Sequence, residues 1–231
     1  MSPIPANPAT SRGFVYTIKS LGGHLVVINS IPFEIEEKRV LRELRIPRIT
    51  HVRELKEEGV AKAIKQAIDI AYTLIHGKAC YKTLTIKEVL QDRVTIEGSD
   101  TLFIGTNMVK LLAKCEYATL LACTIGSELE KKVDHIKKTH TADAYFLDVV
   151  GGWMADYMAD KVDTVVQSEI QRNGYGRTMR YSPGYGDWDL PVQRELLKRV
   201  DASSIGITCT ETSILQPRKS VTAVIGWERQ A

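Results

Sequence analysis

The chain has 231 residues, 44% hydrophobic and 26% charged, with 16 Gly and 8 Pro, a composition that supports a packed core and excludes a collagen-like or disordered polymer. At roughly 150 residues per domain the length fits one compact unit. Thirty-one Lys and Arg against 28 Asp and Glu leave +3, too little for bulk electrostatics to imply nucleic acid, and no nucleic-acid partner is expected.

Residues 1–12 hold three prolines and no apolar segment behind a positive start, so they read as a flexible leader, with a single domain over 13–231. Glu34 to Leu44 alternates charges with Ile35, Val40, Leu41 and Leu44, a short amphipathic helix stopped by Pro47. A longer helix follows, with Thr50 as its cap, an apolar stripe from Val60 to Ile75 at spacings of three and four, and Gly77 at its end. β-Branched and aromatic runs then predict strands at Tyr81 to Val89, Arg93 to Glu97 and Thr101 to Ile104, with a turn at Gly98. A helical piece near Asn107 to Ala113, a strand at Tyr117 to Thr124 and an amphipathic stretch from Ile125 to Lys138 come next.

The longest helical pattern spans Thr141 to Arg172 and ends at Asn173-Gly174, with Gly151-Gly152 inside it as a point of close packing or a kink. Beyond a loop, Asp189 caps a final helix with Pro191 in its first turn, and short strands near Ile205 to Cys209 and Ser220 to Ile225 follow. Strands and helices mix without regular alternation. That favours an α+β sheet with helices on one side over a doubly wound fold.

No apolar run approaches the ~18 residues that span a bilayer, so no membrane partner is expected. The four cysteines match neither a zinc spacing nor a Cys-x-x-Cys pair, and they read as reduced, structural thiols of a cytoplasmic protein. The histidines form no His-Glu-x-x-His pair, and no phosphate loop, nucleophile elbow or dinucleotide fingerprint is present. The loop from Asn173 to Trp188 is more informative, combining glycines, three tyrosines, Arg177, Arg180 and a tryptophan. Glycine admits close backbone approach, arginine offers a planar fork to a carboxylate or phosphate, and an aromatic face attracts a cation. The same composition also suits a surface loop whose aromatics anchor it to the core, with Arg180 paired to Asp187 or Glu211.

Arg180-Tyr181-Ser182-Pro183-Gly184-Tyr185 resembles the Arg-x-x-x-Gly-Tyr signature of the activation, or reactivation, domain of cobalamin-dependent methionine synthase. Ala155-Asp156 and Ala159-Asp160 resemble that family's Ala-Asp-x-x-Ala-Glu helix, and Thr210-Glu211-Thr212, Pro217 and Ser220-Val221 its tail. The likeness is clear over 141–225 and faint over 13–140. It implies an α+β fold, a twisted and mainly antiparallel sheet with helices packed against it, that binds S-adenosylmethionine. The ligand carboxylate would lie at Arg180, backbone contacts at Ser182 and Gly184, the Tyr185 ring beside the ligand, and the helix acid at Asp160, where aspartate replaces the family's glutamate. No catalytic side chain and no metal ligand is implied.

The implied role is an accessory one, inactive alone: presenting a methyl group for reductive reactivation of cob(II)alamin. Cobalamin would come from a partner, a methionine synthase core or another corrinoid protein, and electrons from a donor such as flavodoxin or ferredoxin. The chain lacks the family's zinc module, folate barrel and Asp-x-His-x-x-Gly cobalamin motif, so it would act in trans. It also ends at Ala231, before the long form's distal tyrosine segment, which implies weaker ligand binding. The alternative is a non-catalytic ligand-binding or assembly subunit serving another corrinoid methyltransferase.

Overall fold

Two long strands rich in β-branched and apolar residues organise the molecule. They are β2 (Lys78–Val89) and β5 (Cys115–Thr124), paired antiparallel from Lys78 opposite Thr124 to Thr85 opposite Tyr117. The computed structural model describes residues 25–46 and 48–229. The expected leader and the helix stop at Pro47 lie outside them. Around the central pair come β1 (Leu25–Ile28), α1 (Glu37–Glu43), α2 (Glu58–Leu74), β3 (Arg93–Ile96), β4 (Ser99–Ile104) and α3 (Thr106–Leu112). The chain continues through α4 (Glu128–Ile136), α5 (Thr141–Arg172), β6 (Tyr175–Arg177), α6 (Gln193–Arg199), β7 (Thr208–Cys209), β8 (Leu215–Gln216) and β9 (Ser220–Arg229).

The main sheet has the order β4-β3-β2-β5-β9-β6, all antiparallel. The first half of β2 also pairs with β1, Leu25 lying opposite Lys82 and Ile28 opposite Ala79. A separate hairpin joins β7 to β8. The fold is thus α+β with a mainly antiparallel sheet against which helices pack.

Side chains alternate across a strand, so each sheet face builds its own core. Tyr81, Leu121, Cys123, Ala223, Ile225 and Trp227 face α1, α2, α4 and α5. Cys80, Leu84, Leu120, Ala122 and Val224 face α3, α6, Trp188 and a 3-10 turn at Ala202–Ile205. Helices on one side only, as the sequence predicted, is therefore corrected: the sheet is covered on both. The second-face helices have seven residues each, too short for a helical period to stand out.

Thr50 does not cap α2. Glu54 draws it into a separate 3-10 turn, accepting bonds from Thr50 Oγ1 at 3.1 Å and the His51 amide at 3.0 Å. Gly77 is no helix stop either: the helix ends at Leu74, and a Cβ at Gly77 would lie 2.7 Å from Met158 Sδ. Gly151 serves the same purpose in α5, where a Cβ would stand 2.6 Å from Leu129, and the helix runs through it without a break. Ile205 belongs to the 3-10 turn and not to a strand, and β8 went unpredicted.

Candidate functional site

The segment after α5 is half strand and half turn. β6 pairs with the end of β9, the Thr178 amide donates to the Gly226 carbonyl at 3.0 Å, and Tyr181 exchanges two backbone bonds with Val224 at 3.0 and 2.8 Å. Extended backbone sends neighbouring side chains to opposite faces. Tyr181 accordingly joins the second core, stacked on Trp188 at 6.2 Å, while Arg180 turns toward α5.

There Arg180 Nη2 meets Asp160 Oδ1 at 3.1 Å. Arg177 Nη1 meets Asp163 Oδ2 at 2.9 Å and Gln167 Oε1 at 3.4 Å. Asp160, Asp163 and Gln167 share one helix face by their spacing of three and four, and they receive the two arginines in antiparallel order. Arg180 is 22% exposed and Asp160 73%, so the pair sits at a rim with its guanidinium inward. Two buried polar atoms here have no hydrogen-bond partner, Arg180 Nη1 and Asp163 Oδ1. Buried polar atoms are satisfied in the great majority of cases, which marks this spot. Desolvation raises the carboxyl pKa of Asp156, a turn before Asp160; Arg180 opposes the rise and Asp160 adds to it. Burial pushes the Cys123 thiol beneath them up to about 12, again with Arg180 opposing.

Ser182 to Trp188 form a tight turn. The Gly184 amide donates to the Trp188 carbonyl at 2.8 Å, the Trp188 amide to Tyr185 at 3.1 Å, and Tyr181 Oη to the Tyr185 carbonyl at 3.0 Å. Gly184 holds φ at +89°, a value side-chain-bearing residues rarely adopt. The Asp187 carboxylate pins the turn to the start of α3, accepting from the Thr106 amide at 2.6 Å, Thr106 Oγ1 at 2.7 Å and the Asn107 amide at 3.2 Å. Those bonds, that of the Thr106 hydroxyl foremost, hold its pKa below the ordinary aspartate value. Trp188 Nε1 donates to the Leu102 carbonyl at 2.8 Å and anchors the far end.

Of the five residues singled out from the sequence, Arg180 and Asp160 are in direct contact. Ser182, Gly184 and Tyr185 form the following turn, whose Tyr185 ring is 67% exposed and 6.5 Å from Tyr181. Arg180 pairs with neither Asp187 nor Glu211. Asp187 caps α3, and Glu211 lies between β7 and β8 at the rim of a separate groove with Arg194 and Lys198. Sequence reasoning missed Asp163, Arg177 and Asp187 as parts of the site's frame. The first two carried a signal, since Asp160 and Asp163 repeat at the same interval as Arg177 and Arg180.

No family model matches the sequence, and no curated protein does. A solved structure described as the MetH reactivation domain bound to AdoHcy is similar, with a TM-score of 0.59 and 14% identity, covering 85% of this chain and 75% of that one. At that identity the likeness shows a shared fold. No described helix is long and apolar enough to cross a membrane.

Proposed function

We propose that this chain binds S-adenosylmethionine at Arg180 and presents its methyl group to a separate cobalamin-dependent methionine synthase for reductive reactivation of cob(II)alamin. The observation that carries the reading is the Arg180 guanidinium, held at a sheet edge beside a glycine-rich turn, with Nη2 on Asp160 and Nη1 buried without an acceptor. A fold shared with a domain whose structure contains AdoHcy supports it.

In this reading Arg180 takes the ligand carboxylate, and Asp160 supplies the anion its ammonium needs. Gly184 leaves its backbone open to close approach, and the exposed Tyr185 ring offers a π face to the sulfonium. Cobalamin held by the partner and reduced by a donor such as flavodoxin or ferredoxin would supply the methyl acceptor, and S-adenosylhomocysteine would be left on this chain. This protein contributes orientation, and no side chain need act as a general base. The chain alone binds the ligand but transfers no methyl group without its corrinoid partner.

Calorimetry with S-adenosylmethionine tests the binding step. The wild type should give saturable heat, and Arg180→Ala should weaken binding roughly 10- to 100-fold, the value of a hydrogen bond to a charged group. Equal affinity for both proteins would refute the assignment. Adding a cobalamin-dependent methionine synthase core, reductant and methyl-labelled S-adenosylmethionine then tests transfer, by label appearing on the cobalamin.

A further inference from the structure

The chain's excess of positive charge is concentrated in one short segment. Lys38, Arg39, Arg42, Arg45 and Arg48, set against Glu43, give residues 38–48 a net +4, more than the +3 of the whole chain. All five cations are exposed. Arg39 lies 4.0 Å from Glu36, whereas Arg42, Arg45 and Arg48 have no side-chain partner among the described residues. Neighbouring carboxylates are engaged elsewhere: Glu37 accepts from the Val52 amide at 2.9 Å, and Glu54 from Thr50 Oγ1 and the His51 amide.

Two of these arginines occupy backbone that glycine would hold at lower cost. The Arg45 amide donates to the Arg42 carbonyl and the Ile46 amide to the Leu41 carbonyl, both at 2.9 Å, the pair of bonds that closes a helix when the residue past its cap turns left-handed. That residue is Arg45, at φ +58°, and Arg48 repeats the conformation at +79°. Glycine is the usual occupant of such a position, so the local fold does not call for a long cation there. A charge favourable to the helix dipole accounts for Arg42 in the last turn of α1, but not for Arg48, well past its end at Glu43.

The segment borders the candidate site. α1 packs against α5, and the Glu43 charge at its end is among those that raise the pKa of Asp156, one turn before Asp160. We propose that Arg42, Arg45 and Arg48 dock an acidic face of the corrinoid-carrying partner protein beside the ligand site. The inference rests on the binding reading above and adds the surface on which the partner sits. A protein face fits better than nucleic acid, because Glu43 stands among the cations and residues 38–48 hold no aromatic ring to stack a base. Complementary charges at the rim of an interface act mainly on the association rate, and salt screens them.

The test compares the wild type with a triple variant, Arg42→Gln, Arg45→Gly and Arg48→Gly. Both are assayed for methyl-label transfer to a cobalamin-dependent methionine synthase core with reductant, at rising core concentration and at low and physiological salt. The glycines suit the left-handed backbone, so the variant should melt at or above the wild-type temperature and bind S-adenosylmethionine with unchanged affinity by calorimetry. Docking predicts a roughly tenfold higher core concentration for half-maximal transfer at low salt, the combined effect of three exposed ion pairs, with an unchanged rate at saturating core. The variant should also lose the wild type's salt dependence. An unchanged half-maximal concentration and salt dependence would overturn the docking surface and leave ligand binding intact. So would unaffected transfer together with a labelled oligonucleotide that binds the wild type and not the variant, which would make the patch a nucleic-acid site. No heat from S-adenosylmethionine with the wild type would overturn the binding reading, and this inference with it.

Discussion

Gly105 holds φ at +124° and ψ at 150°, backbone open essentially to glycine alone, and a Cβ there would lie 2.8 Å from the Asp187 carbonyl oxygen. Gly105→Ala should therefore destabilise the protein by roughly 1–3 kcal/mol in urea unfolding and loosen the turn that carries Gly184 and Tyr185. Asp187 makes a prediction of the opposite kind, in pH. Its folded pKa is depressed, so the anchoring is complete above the ordinary aspartate value of 3.8 and disappears as pH falls through the lower folded value. The amide resonances of Thr106 and Asn107 should shift over that acid range in the wild type, and Asp187→Asn should abolish the titration. The sequence left Asp187 as a candidate partner of Arg180. A carboxylate that caps a helix from a distant segment leaves no local spacing to read, unlike a cap supplied by the helix's own preceding residue.

At the scale of elements, α5 was read to its residue bounds because its apolar positions repeat over 32 residues and Asn173-Gly174 punctuates its end. Its two glycines were not told apart by the sequence, and the structure separates them. Gly151 faces Leu129, whereas the nearest atom to a Cβ at Gly152 is Lys219 Nζ at 3.5 Å, the end of a flexible side chain. Gly152→Ala should then raise the urea midpoint, by roughly 0.5–1 kcal/mol of helix preference, while Gly151→Ala gives up that gain to overpacking. The strand half of the glycine-rich segment was illegible for a different reason. Thr178 and Tyr181 are strand-like only through bonds to Gly226 and Val224 on β9, and their own glycine-flanked sequence has no period of two. Arg180 was singled out by resemblance; its aim at α5, where it meets Asp160, follows from that pairing and could not be read.

For the whole molecule, β5 settles how the two faces relate. Nearly every residue along it is buried, with Leu120 in one core and Leu121 in the other. A strand covered on one face would alternate apolar with polar residues; the run Leu120-Leu121-Ala122-Cys123 does not, and it was the available sign of two-sided cover. Because the cores share each backbone bond of β5 with β2 and β9, they should melt together. Two tryptophans report on them separately, Trp227 in the first core and Trp188 in the second. In a Trp153→Phe, Trp227→Phe background, Trp188 fluorescence should lose its folded value at the same urea concentration as the far-ultraviolet circular dichroism. Leu121→Ala empties space in the first core alone and should cost about 2–5 kcal/mol, yet it should move the Trp188 transition in the second core by the same amount as the dichroism. A Trp188 midpoint that stays put while the dichroism shifts would mean that the sheet divides the molecule into two independently melting halves.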